Sequence, residues 1–257
     1  IEGLFVRGQY DYDSKYFAST SFRRDGSSRF IGNKRWGVFP SFSAGWNIAN
    51  EAFFKSLAKT IQVLKLRVSW GSLGNTNIKQ LYPWFLNQPV SAASSGWLLN
   101  GERQNIANVP GLVSPNLTWE RIQSWNIGFD FGAFNNRLQG NFDYFVRTTK
   151  NMVGPAPVKP SILGANQPAE NNSDMRSNGW ELEVKWRDQI GQVNYGARLV
   201  MSDDYQTITR YYNPNHLLSE WYEGQRMGNI WGYEVEGIAQ TDQQMNEWLA
   251  NNKPSWG

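Results

Sequence analysis

WGVFPSFSAGWNI, residues 36–48, alternates between two kinds of side chain. The even positions are Trp36, Val38, Pro40, Phe42, Ala44, Trp46 and Ile48, all apolar. The odd positions are Gly37, Phe39, Ser41, Ser43, Gly45 and Asn47, small or polar with the one exception of Phe39. Successive side chains of a β-strand point to opposite faces, so a period of two is its signature. The stretch predicts a long strand with one ring-rich apolar face and one small polar face.

The same period runs through the chain. Leu4, Val6, Tyr10 and Tyr12 alternate with Arg7, Gln9 and Asp11, and Tyr16, Ala18, Thr20 and Phe22 share a face over 16–24. Leu64, Leu66, Val68 and Trp70 oppose Lys65, Arg67 and Ser69 over 63–72. Trp125, Ile127, Phe129 and Phe131 oppose Asn126, Gly128 and Asp130 over 119–132. Leu138, Phe142, Tyr144 and Val146 oppose Gln139, Asn141, Asp143 and Arg147 over 137–149. Trp180, Leu182, Val184 and Trp186 oppose Glu181, Glu183, Lys185 and Arg187 over 179–187. Val193, Tyr195, Ala197, Leu199 and Met201 oppose Asn194, Gly196 and Arg198 over 193–202. With residues 36–48 these make eight candidate strands.

The connections alternate in length. Short turns are expected at 13–15, 133–136 and 188–192, and long loops at 25–35, 74–118 and 151–178. NEAFFKSLAKTI, 50–61, breaks the strand rhythm: Phe53, Phe54, Leu57 and Ile61 have helical spacing, and Asn50 is placed to cap a helix. Parity puts this segment at the short-turn end. Long loops at one end and short turns at the other are the pattern of an outer-membrane β-barrel. Lipid offers backbone groups no hydrogen bonds, so only helices and closed barrels span it. No run of about 18 apolar residues is present to form a spanning helix.

Composition fits the same reading. Aromatic residues are 15% of the chain, with 13 Trp, 11 Tyr and 14 Phe, yet mean hydropathy is −0.56. Aromatic girdles facing lipid and a polar lumen account for both. A soluble β-sandwich also alternates and is the competing reading. It predicts a chain that folds alone in buffer. Large rings on each apolar face, and charges at successive polar positions such as Glu181, Glu183 and Lys185, weigh against it.

Net charge is +3 and spread along the chain, without the dense basic patch expected of a nucleic-acid binder. There are no cysteines, which excludes disulfides and thiolate metal sites. The single histidine, His216, lies in a polar stretch after Asn213-Pro214-Asn215, with no Ser-His-Asp arrangement beside it. Asp203, Asp204 and Asp242 form no calcium loop. Glu181 and Glu183 share a face with Lys185 and Arg187, which reads as a salt-bridge ladder rather than a glycosidase pair. Neither catalysis, nor a metal, nor a cofactor is expected.

FRRDGSSRF (22–30), followed by RWGVFPSFSAGWNIANEAFFKS, resembles the SusC/RagA family of TonB-dependent outer-membrane transporters, typical of Bacteroidota. LKLRVSWGSLGN (64–75), LTWERIQSWNIGFDFGAFNNRLQGNFDYFVRTTKNMV (117–153), NGWELEVKW (178–186) and GNIWGYEVEGIAQT (228–241) carry the resemblance onward in order. It implies an all-β fold: an antiparallel transmembrane barrel segment of about eight strands, within a plugged barrel of roughly 22. Residues 1–202 would be strands and loops of the wall, and 203–257 an extracellular loop region ahead of the closing strands. Both ends are expected to be cuts within a longer protein. The plug and the TonB-contact segment would lie elsewhere in it. The implied function is uptake of oligosaccharides or oligopeptides. The implied partners are a SusD-like surface lipoprotein lid, the TonB complex, and outer-membrane lipid with lipopolysaccharide. A siderophore or cobalamin receptor and a passive porin are the neighbouring alternatives.

Arg23, Arg24, Asp25, Gly26 and Arg29 are expected where a strand leaves the membrane on the long-loop side. Asp25-Gly26 would make a turn and the three arginines would gather around Asp25. The motif either fixes a loop to the wall or lines a substrate path, or meets lipopolysaccharide or the plug. Tyr82, Trp84, Trp97 and Arg103 in one loop, and Trp221 and Tyr222 in another, are the candidate substrate contacts. Exposed rings stack on sugars, but they also pack within their own loops or against a neighbouring subunit.

Overall fold

The computed structural model describes residues 2–76, 78, 82–92, 98–156, 162, 168–235 and 237–252. Two units separate, Ile1–Met227 and Gly228–Gly257.

In the first unit, eight long strands form one antiparallel sheet. They are β1 (Glu2–Tyr12), β2 (Tyr16–Gly26), β3 (Trp36–Asn47), β4 (Ile61–Asn75), β7 (Glu120–Ala133), β8 (Leu138–Met152), β9 (Ser173–Ile190) and β10 (Val193–Arg210). Each pairs with the next in that order. The small hairpin of β5 (Val90–Ala92) and β6 (Asn105–Ala107) sits inside the β4–β7 connection. Among the described residues no second sheet covers either face of the eight strands, which removes the sandwich.

The alternation read from the sequence is the alternation of the sheet. Phe42 pairs with Trp70, and Trp70 with Trp125, so one face carries a row of rings from strand to strand. Phe42 and Trp70 lie 5.9 Å apart and nearly parallel. Phe42, Trp125 and Ile127 are more than half exposed. Trp36 and Trp46, the outward rings at the two ends of β3, lie ten positions apart. At about 3.3 Å per residue and a tilt of about 40°, they stand about 25 Å apart in depth, the height of a barrel's apolar band.

Three differences from the sequence reading have physical causes. Residues 50–61 are not a helix. They form short 3-10 turns at Ile48–Asn50 and Ala52–Phe54, then a turn through 60. The segment is spent on bonds to its neighbours: Asn50 Nδ2 donates to Ser14 O at 2.9 Å, and Phe134 N donates to Thr60 O at 2.8 Å. β9 begins at Ser173, and β10 runs on to Arg210, through residues expected to be loop. Polar residues dominate there, with Met175 against the buried Ile208 as an apolar exception, so the apolar period is lost while the ladder of hydrogen bonds continues. Finally, Asp25 and Gly26 are strand, and the turn falls at Ser27–Phe30, where Phe30 N donates to Ser27 O.

A one-layer wall has little interior, and its apolar core sits at the long-loop end. Phe30, Phe39, Ile78, Leu117 and Trp119 form it. Trp119 lies 5.4 Å from Phe30 and 5.3 Å from Phe39. Phe39, the odd ring on the small face of β3, fills the space left by two glycines. A Cβ on Gly37 would stand 2.4 Å from its ring and one on Gly74 2.0 Å.

In the second unit, α1 (Asp242–Asn251) is capped by the Thr241 side chain, which accepts from Gln244 N at 3.3 Å.

Candidate functional site

The face opposite the rings is the polar wall. On β2 and β3 it is made of hydroxyls: Ser19 and Ser43 are bonded at 3.1 Å, Ser21 and Ser41 at 2.7 Å. Lys65 stands 4.2 Å over the Phe17 ring. Across β4, β7 and β8 one cation serves two acids: Arg67 Nη2 lies 3.0 Å from Asp130 and 2.9 Å from Asp143. Gly128 makes room for this clamp, since a Cβ there would meet Asp143 Oδ1 at 2.3 Å. On β9 and β10, Glu183 takes Lys185 and Arg198, the latter at 3.0 Å. The ladder expected there is narrower than read, because Glu181 joins no ion pair among the described residues. These pairs are partly exposed, so water screens them. Their effect is to hold charged heads flat against the wall. Among the described residues the polar face presents hydroxyls and paired charges. Among the described residues no metal-holding cluster occurs.

The arginine motif is arranged differently from the expectation. Only Arg23 meets Asp25, at 2.6 Å. Arg24 lies on the opposite face, 4.8 Å over the Trp36 ring, because neighbours on a strand diverge. Arg29 donates to Thr76 O in the next loop. Gly26 lies beneath Trp36, whose ring would stand 2.8 Å from a Cβ at that position. The five residues thus tie β2, the β3 ring face and the β4–β7 connection together.

The aromatic candidates divide into two groups with no ring contact between them among the described residues. Tyr82, Trp84 and Phe85 pack edge to face at 6.2 Å, and Trp84 Nε1 donates to Ser28 O at 3.4 Å. Tyr82 remains exposed, and so does Arg103. Trp97 lies outside the described residues. Trp221 packs edge-on to Tyr211 at 5.9 Å, and Tyr222 is half-buried beside it. Burial raises the Tyr211 hydroxyl above its ordinary pKa.

The sequence reading missed the asparagines and the acid that pin the rim. Asn171 Oδ1 accepts from Thr118 N at 2.8 Å, and its Nδ2 donates to Thr118 O at 3.1 Å and Asn151 O at 2.6 Å. Asn172 holds Gly154 N and Pro155 O at 3.0 and 2.7 Å. Glu120 accepts from Asn75 at 2.6 Å and Val153 N at 2.9 Å. Two asparagines directly before a strand were the available signal, since their side chains mimic backbone turns.

Comparison with known proteins places this geometry. The family profile "TonB dependent receptor-like, beta-barrel" matches residues 2–256. TonB-dependent receptor P3 of Formosa agariphila is 30% identical over 93% of this chain and 25% of its own length. TonB-dependent receptor SusC of Bacteroides thetaiotaomicron is 31% identical over 72% of this chain and 18% of its own. The solved RagAB peptide transporter matches 83% of this chain and 23% of its own with a TM-score of 0.70 at 28% identity. The chain thus spans a quarter or less of the length of these relatives. With the wall's sequence and its sheet both shared with SusC and RagAB, the chain belongs to the TonB-dependent receptor β-barrel family, a family of receptors and transporters rather than enzymes.

Proposed function

We propose that the chain is a stretch of barrel wall in an outer-membrane importer of oligosaccharides or oligopeptides. In this reading the ring face meets lipid, the polar face lines the lumen, and the long connections open outward beneath a SusD-like lipoprotein lid. The TonB complex acts through parts of the protein outside this stretch. The observation that carries it is the division of one sheet into a ring-rich face and a charged face, with the two longest connections, 76–119 and 153–172, at the same end. The RagAB relative, a peptide transporter by its description, supports the oligopeptide arm. The exposed ring of Tyr82 suits either arm, because sugars and apolar side chains both stack on aromatics.

The test is uptake by source cells lacking the gene and by complemented cells, with labelled oligosaccharide and oligopeptide pools. Loss of one pool's uptake on deletion, restored by the gene, identifies the cargo. Recovery of the protein in the soluble fraction would sink the reading.

A further inference from the structure

Above the apolar band, the outward face of β9 and β10 carries two arginines held without acids. The face of Trp186, Val184, Leu182 and Trp180 continues upward through Asn178 to Arg176. Arg176 pairs with Thr207 on β10, and Thr207 pairs on its other side with Arg226. Cross-strand partners share a face, so Arg176, Thr207 and Arg226 form one outward row. Arg226 reaches it because residues 224–227 hydrogen-bond onto the edge of β10 opposite β9. Ile208 N donates to Gln225 O at 2.9 Å, Gly224 N to Ile208 O and Met227 N to Gln206 O, both at 2.8 Å.

Both guanidinium groups are held in place by neutral partners. Arg176 Nε donates to Asn178 Oδ1 at 3.1 Å, and Asn178 Nδ2 donates to the Tyr205 hydroxyl at 3.1 Å. Arg226 stands 4.7 Å over the Tyr205 ring. Both arginines are exposed, and among the described residues neither makes an ion pair. The acids on this face are Asp174, taken by Arg210 at 2.8 Å, and Asp203, which pairs in register with Trp180 nearer the apolar band.

We propose that Arg176, Thr207 and Arg226 bind the phosphate of a lipid A head group in the outer leaflet. Arg176 lies four positions beyond Trp180, about 10 Å higher at about 3.3 Å per residue and a tilt of about 40°. That is head-group depth. The two arginines lie two strand spacings apart, about 10 Å, with a hydroxyl between them. Planar guanidinium forks suit phosphate oxygens, and a preorganised pair of cations loses little freedom on binding. The site rests on the orientation proposed above, with the long connections outside.

The experiment uses the full-length protein, extracted from outer membranes in mild detergent, with co-purified lipid A quantified by mass spectrometry. Arg176→Gln with Arg226→Gln is compared with wild type and with Arg198→Gln on the polar face. Each protein is first checked as a heat-modifiable band in the outer-membrane fraction. Wild type and Arg198→Gln are expected to retain equal lipid A, and the double variant at least about tenfold less, the loss of one charge-assisted contact's worth of affinity. If the double variant fails to reach the membrane, Arg226→Gln alone, on the edge segment, is expected to lower retention. Equal retention in folded variants, or equal loss in Arg198→Gln, overturns the site and leaves the importer standing. A soluble protein overturns the orientation and the site together.

Discussion

The two ends of the sheet are held by different means. At the short-turn end the contacts tie the tight turns to one another, through turn backbone and the side chains of Asn50 and Gln62. Asp13 and Ser14 turn the first hairpin with φ of 52° and 51°, and Phe134, Asn135 and Asn136 turn another, all with positive φ. The β3–β4 connection and the start of β4 strap these turns together through Asn50, Thr60 and Gln62, whose Oε1 accepts from Asn135 N at 3.0 Å. At the long-loop end the contacts run from one long connection to another and close around an apolar core. Lys34 reaches Asn116, Trp119 Nε1 donates to Arg35 O at 3.3 Å, and Asn171 reads the backbone of Thr118. A tight turn closes on itself; a long connection is ordered only by what it packs on.

The strongest way to break this contrast is Trp119→Ala. Removing a large ring from the only apolar core of the wall's rim, among the described residues, is expected to destabilise it by about 3–5 kcal/mol. In the full-length protein, amide exchange should rise across 27–35, 117–120 and 153–156 and stay unchanged at 13–15 and 134–137. A uniform rise would mean that the two ends are one cooperative unit. Asn171→Ala comes next. It strips three hydrogen bonds from two connections and is expected to weaken the rim by about 1–3 kcal/mol. Protease cutting near residues 118 and 151 should increase without loss of the heat-modifiable barrel band.

Ser21→Ala probes the wall between the ends. It removes one hydroxyl pair and should lower the thermal midpoint in detergent only slightly, in line with about 0.5–1.5 kcal/mol for one hydrogen bond. A larger drop would give the polar wall a structural weight that the contrast denies it. The smallest effect is expected at the short-turn end, at Glu51. Its carboxyl is held below its ordinary pKa by the Tyr16 hydroxyl at 2.6 Å, then by the Trp46 indole at 3.1 Å. A depressed pKa contributes stability above the unfolded value and loses it as pH falls through the folded one. Exchange over 48–60, corrected for intrinsic rate, should therefore rise only as pH drops through and below the ordinary carboxylate range. Glu51→Gln should abolish that dependence.

How much could be read in advance follows the same division. The faces of every long strand were legible, because pleating is local and a residue's side is set by its parity alone. Phe39 broke that parity and proved to be the ring beneath Trp119, so the exception in the pattern marked the one buried ring on its strand. Short turns were legible from Asp, Asn and Gly, which tolerate positive φ. The helix expected over 50–61 was not formed, because hydrophobic spacing in so short a segment is outweighed by bonds to adjacent turns. The tops of β9 and β10 were missed because polar strands carry no hydrophobic period.

Composition and alternation were enough for a sheet with one ring-rich face and one polar face, since both are properties of residues and their nearest neighbours. Which arginine meets which acid was not readable from them. Arg24 stacks on Trp36 rather than joining Asp25, Arg67 serves Asp130 and Asp143, and Arg176 shares a row with Arg226. Those pairings depend on register between strands far apart in the chain. Register is set by hydrogen-bonded ladders and loop closure acting together, and no single stretch of residues contains it.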